Sequence, residues 1–105
     1  RQDDEGNFMW PGFGDNMRVL LWILDRCQGK ADAVESPIGY MPKPEDIDVT
    51  DLDLDMDTLK ALLTVDKEVW LEDVANQKEY FAQFGDKLPK EMAEQLKTLE
   101  SKLNA

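Results

Sequence analysis

A chain of 105 residues with a formal net charge of −11 is one small domain or a piece of a larger one. Its acidity repels nucleic acid and anionic membranes alike, so neither is expected as a partner. It contains no His, which excludes imidazole catalysis and Cys/His zinc sites, yet it is 42% hydrophobic with three Trp and four Phe, enough to form a core. The acids are unevenly spread: residues 1–44 carry seven against five bases, and residues 45–105 carry sixteen against seven. Cys27 is the only cysteine and cannot close an intramolecular disulfide, which agrees with a reducing, intracellular setting. No run approaches the roughly eighteen apolar residues of a membrane span. The chain starts at Arg1 in a polar stretch, without Met, so truncation or processing is expected.

Residues 1–7 read as a charged turn broken at Gly6-Asn7, leading into a short extended segment. Trp10 precedes Pro11 and is biased toward extended geometry. Gly14-Asp15-Asn16 reads as a helix start, with Asp15 or Asn16 available as N-cap. From Met17 to about Cys27 the residues are apolar on nearly every face, which predicts a buried helix ended by Gly29. Ser36 to Pro44 is a Pro/Gly-rich connector expected to run extended over a surface. Ile47 to Asp57 alternates apolar and acidic residues with one slip at Thr50-Asp51, and a period of two predicts a half-buried extended edge. Three helices follow. Asp57-Thr58 caps a short one to about Leu63. Asp66 caps a longer one, with Trp70, Val74, Gln77, Phe81 and Phe84 as its stripe, ending at Gly85. Pro89 opens the last, with Leu88, Met92, Leu96, Leu99 and Leu103 on one face. A weak seam in charge and helix content falls near residue 44.

The stretch Phe8-Met9-Trp10-Pro11-Gly12-Phe13-Gly14 concentrates flat rings, a stiff proline and glycines just before a helix. Two readings stand side by side: a hydrophobic staple for the helix, or a surface on which a planar base stacks, typically worth about 1–3 kcal/mol per base. Asn16 is either an N-cap or a reader of a base edge. Free N–H donors at a helix start suit a carbonyl acceptor such as guanine O6, whereas the adenine amino group would leave them unpaired. No GxxxxGK[ST] pattern is present to hold phosphates. The ladder Asp51, Asp53, Asp55, Asp57 invites a calcium loop, but Met56 and Leu62 stand where such a loop needs Gly and Glu, so a solvated acidic edge is the better account. Cys27 reads as a core residue, with no His to activate it. Arg18 and Arg26 are free to pair with acids or phosphates.

The residues Phe8 to Leu20, then Trp22, then Ser36-Pro37-Ile38-Gly39-Tyr40-Met41-Pro42, closely resemble the C-terminal end of GTP-dependent phosphoenolpyruvate carboxykinase. The match is dense to about residue 44. Residues 45–105 fit the family's variable helical tail in length and character. The resemblance implies a mainly α chain with short extended segments, forming the C-terminal part of a larger α/β (α+β) nucleotide-dependent lyase domain. It divides the chain into 1–44, a guanine-pocket loop, buried helix and connector, and 45–105, an acidic helical tail. It further implies a lyase converting oxaloacetate and GTP to phosphoenolpyruvate, GDP and carbon dioxide, with Mn²⁺ at the active site and Mg²⁺ with the nucleotide. Guanine would lie in an aromatic pocket at the positions of Phe8 and Phe13, with contacts along Phe13-Gly14-Asp15-Asn16 and Asn16 helping to recognise the base.

Two departures accompany the resemblance. Asp15 stands where many relatives have Glu. The family's third pocket aromatic lies immediately upstream of the position of Arg1. The P-loop, reactive cysteine, metal ligands and oxaloacetate-binding residues are also absent, so the chain alone is expected to be inactive and to have the rest of the parent enzyme as its partner. The contrasting reading is a stand-alone acidic helical protein-interaction module.

Overall fold

The computed structural model describes all 105 residues, Arg1–Ala105, as a mostly helical chain with one two-stranded sheet. Four helices, α1 (Asn16–Cys27), α2 (Met56–Leu63), α3 (Lys67–Ala82) and α4 (Lys90–Asn104), are joined by single 3₁₀ turns and by strands β1 (Val34–Ser36) and β2 (Gly39–Met41). The chain forms two compact units: Arg1–Glu35 with Tyr40–Thr64, and Ser36–Gly39 with Val65–Ala105.

In the first unit, α1 departs from expectation. A pattern apolar on nearly every face predicts burial, yet none of its residues is buried. Met17, Leu21 and Leu24 are each about half exposed, and Val19, Leu20 and Ile23 are exposed as well. A helix apolar on every side needs neighbours on every side, and this unit offers them on only one. There, Val19, Leu20, Trp22 and Ile23 face Ile47, Leu59 and Leu63 across an open hollow of about 610 Å³. The Trp22 indole nitrogen is buried without a hydrogen-bond partner, an arrangement that typically costs about 1–3 kcal/mol. The helix ends as Gly29 predicts. Gly29, at φ 70°, lets its own N–H reach the Arg26 carbonyl and the Lys30 N–H reach that of Asp25, a Schellman stop. Cys27, expected in a core, lies exposed on this last turn.

The connector is not simply extended. Pro37-Ile38 turns the chain so that β1 and β2 pair as a hairpin. The Ser36 hydroxyl donates to the Gly39 carbonyl (2.7 Å) and accepts from the Ile38 N–H (3.3 Å), bracing the turn.

Residues 47–55 form no strand, although their apolar residues lie inward and their acids outward. Aspartates divert the backbone from sheet pairing. Asp48 accepts from the Thr50 N–H and hydroxyl, a side-chain turn that competes with ladder bonding. At the slip in the alternation, Asp51 adopts φ 60° and Leu52 closes a turn onto Val49. Asp55, rather than Asp57, caps α2, accepting from the Thr58 N–H at 2.6 Å.

In the second unit, Asp66 caps α3 by accepting from the N–H groups of Glu68 and Val69. The expected stripes of α3 and α4 meet: Val74, Leu96 and Leu103 are buried, with Trp70, Phe81 and Leu99 packed against them. Phe84 stays partly exposed, edge-on to Tyr80 with ring centroids 5.4 Å apart. An exposed Lys78–Glu100 pair at 2.7 Å links the two helices, and such pairs add little.

Asp66→Ala is expected to destabilise α3 and its packing by about 1 kcal/mol, and Asp66→Asn, which keeps an acceptor, to restore most of it; thermal melts followed by circular dichroism measure both.

Three exposed carboxyls sit below the ordinary Asp value of 3.8 because hydrogen bonds favour their charged form: Asp3 through the Asn7 backbone, Asp48 through the Thr50 side chain, and Asp55 through the Thr58 backbone. A folded pKa below the unfolded one gives stability that is present above the unfolded value and lost as pH falls through the folded one. The melting temperature is therefore expected to drop on acidification below about pH 4. Asp55→Asn should make that drop shallower, and an unchanged acid limb would refute the assignment.

Candidate functional site

The aromatic loop is built on two successive left-handed residues, Gly12 at φ 72° and Phe13 at φ 51°. Glycine adopts that region freely. A phenylalanine there is strained by about 1–2 kcal/mol. A 3₁₀ turn, Phe13–Asp15, follows and runs straight into α1. The Phe13 ring projects into solvent, 98% exposed. Phe8 is 79% exposed, so neither ring staples α1, and only Trp10 is half-buried among the three aromatic residues of the loop.

Phe8 is held from the other side. It forms an antiparallel bridge with Gln2, and the Met9 N–H donates to the Arg1 carbonyl. Gly6 and the Asp3 carboxylate, which accepts from the N–H groups of Glu5 and Asn7, close that turn. Phe8 also edges a shallow hollow of about 310 Å³ lined by Asp3, Asp53 and Thr58. Arg1 reaches over to donate to the Ala61 carbonyl at 2.8 Å.

Neither Asp15 nor Asn16 caps α1 with its side chain. Both already have helical backbone angles (φ −69°, ψ −15° and φ −60°, ψ −25°), whereas a capping side chain needs an extended residue. Asp15 instead accepts from Arg18 Nε at 3.1 Å, and Arg18 Nη1 donates to the Asp48 carbonyl at 2.8 Å. This ties the loop to the segment leading into α2. Asn16 Oδ1 accepts from the Trp10 indole N–H at 2.9 Å. The backbone donors expected to be free at the helix start are turned inward at these positions: Asp15 N–H bonds to the Gly12 carbonyl, and Asn16 N–H points back at Phe13 and Gly14. Gly14 stands in open space, with no atom within 4 Å of where a Cβ would lie.

The structure thus joins Trp10 with Asn16, and Asp15 with Arg18. It leaves the Phe8 and Phe13 rings apart from each other: the aromatic pairs in the chain are Tyr80 with Phe81 and with Phe84. The Trp10–Asn16 bond and the reach of Arg18 to Asp48 escape sequence reading. Spacings of six and thirty residues follow no helical or strand period. The acids and Cys27 gather no group of three or more able to hold a metal ion.

The family model for the phosphoenolpyruvate carboxykinase C-terminal P-loop domain matches residues 1–102. Among curated relatives, the protein named phosphoenolpyruvate carboxykinase [GTP] from Paenarthrobacter aurescens (strain TC1) is 45% identical over 103 residues, 98% of this chain and 17% of the relative. Its namesake from Treponema pallidum (strain Nichols) is 43% identical over 105 residues, 99% of this chain and 17% of the relative. That from Chlamydia trachomatis serovar D is 44% identical over 104 residues, with 98% and 17% covered. The chain therefore spans about a sixth of the length of the curated relatives it matches. A match over nearly every residue, through the aromatic loop and the acidic helices alike, places this chain in the GTP-dependent phosphoenolpyruvate carboxykinase family, within its C-terminal domain.

Proposed function

We propose that this chain supplies guanine recognition to a GTP-dependent carboxykinase that converts oxaloacetate and GTP to phosphoenolpyruvate, GDP and carbon dioxide. Phe8 and Phe13 stack against the base, the Gly14-Asp15 backbone follows its edge, and Asn16 reads that edge. The observation that carries this reading is Phe13: a ring held 98% in solvent on a left-handed backbone. Strain of that kind, kept where it adds nothing to packing, is characteristic of ligand-binding positions. Residues 1–44 hold the recognition loop, α1 and the connector, and the more acidic 45–105 form a stabilising tail.

The exposed apolar faces of α1 also fit a stand-alone protein-interaction module. The short span of the relatives that the chain matches favours a different occupant, the rest of the parent enzyme packed around α1. In this reading Mn²⁺ and Mg²⁺ are held by parts of the parent enzyme outside this chain, as the resemblance implies. The chain alone, in this reading, has no carboxykinase activity, and the parent works in the cytoplasm.

In the full-length parent, Phe13→Ala keeps the backbone and removes the ring. It is expected to raise the KM for GTP by about 5- to 150-fold, the equivalent of one lost stacking partner. Unchanged KM values for GTP and ITP would defeat the stacking role. Asn16→Ala is expected to erode the preference for GTP over ATP, measured as the ratio of kcat/KM values; an unaltered ratio would leave Asn16 only a structural partner of Trp10.

A further inference from the structure

We infer that Trp10 is a specificity-determining positioning residue: its indole N–H fixes which end of the Asn16 carboxamide faces a bound base, and thereby selects a 6-oxo purine over a 6-amino purine. The inference rests on the guanine reading of Asn16 proposed above.

An asparagine carboxamide is nearly symmetric in shape and opposite in chemistry at its two ends. The oxygen only accepts, and the nitrogen only donates. Turned one way it suits the O6 acceptor of guanine or hypoxanthine; turned through half a circle it suits the amino group of adenine. An unrestrained asparagine therefore discriminates poorly, because it can flip to serve either base.

Trp10 removes that freedom. An indole N–H can donate and cannot accept, so the group facing it at 2.9 Å must be the Asn16 oxygen. The Asn16 Nδ2 donor is then directed away from Trp10 and makes no hydrogen bond within the chain. The indole is itself anchored. It is half-buried along the hollow of the first unit, beside Val19, Leu20 and Pro42, and Pro11 restrains its backbone. Flipping the amide would place an NH₂ group against the indole N–H, leaving two donors face to face. Trp10 need not touch the base, because it acts through Asn16.

The test uses the full-length enzyme containing this chain, with kcat and KM measured for GTP, ITP and ATP. Trp10→Phe removes the N–H, and the benzothienyl analogue of tryptophan at position 10 replaces it by sulfur at constant shape. Asn16→Ala and the Trp10→Phe/Asn16→Ala double variant complete the set. Both position-10 variants are expected to shift the GTP-over-ATP ratio of kcat/KM toward ATP by about 3- to 10-fold, as the loss of one neutral hydrogen bond implies. The shift should lie in KM more than in kcat. The GTP-over-ITP ratio should hold, since both bases present O6. The double variant should be no less selective than Asn16→Ala alone, because the two residues act as one unit.

Proportional increases in KM for GTP and ATP, with the ratio kept, would show Trp10 to be a packing residue and overturn the inference. If Asn16→Ala moves the ratio and neither position-10 variant does, the guanine reading stands and the inference falls. If Asn16→Ala itself leaves the ratio unchanged, both fall. Should Trp10→Phe fail to fold, the benzothienyl variant decides by the same ratio.

Discussion

A helix that is apolar on nearly every face imposes its own requirement on everything around it. In this chain that helix is α1, and its first unit covers one face while most of its large side chains remain in contact with water. The features next to it follow from this. The aromatic loop must enter α1 without a side-chain cap, because the 3₁₀ turn delivers Asp15 and Asn16 already in helical geometry. Freed from capping, those two side chains become available for other bonds, one to Arg18 and one to Trp10. Arg18 carries the connection onward to the Asp48 carbonyl. The loop geometry is thus set by these polar bonds, and the Phe8 and Phe13 rings are left exposed.

The two units are held by different means. The α3–α4 pair forms a small apolar core around Val74, Leu96 and Leu103, with Asp66 satisfying the first amides of α3. The first unit buries Ile47 and Leu59 and otherwise depends on carboxylates that bind backbone N–H groups at Asp3, Asp48 and Asp55. This gives part of the chain's acidity a structural use. Acids that fold back onto their own amides shape turns where an apolar core is thin.

Much of this was legible in the residues, for reasons that also explain what was not. Asp66, the stripe from Trp70 to Phe81 and the Leu96/Leu103 face are local patterns with a helical period, and they appear as read. Gly29 ends α1 because the left-handed stop it provides is also local. The segment 47–55 shows where periodicity stops short. The alternation correctly ordered inside from outside, including the slip at Thr50-Asp51, but a pattern of faces does not say whether sheet pairing exists, and the aspartates chose turns instead. Burial of α1 failed for another reason: composition states what a helix requires, and only the surrounding chain states what it receives. At the site, the residue types of the loop were plain. The pairing of Trp10 with Asn16, by contrast, is a tertiary bond with no sequence period to announce it.

The two left-handed residues at Gly12 and Phe13 have a consequence for the motions of the loop. Backbone strain fixes where the Phe13 ring is attached, while almost complete exposure leaves the ring itself free to turn about two torsions. Position is settled in advance and orientation is left open, with rotamer exchange on the picosecond-to-nanosecond scale typical of exposed side chains. A flat partner stacking on this ring would have the entropy of those two torsions to arrest, about 0.5–1.5 kcal/mol for one side chain.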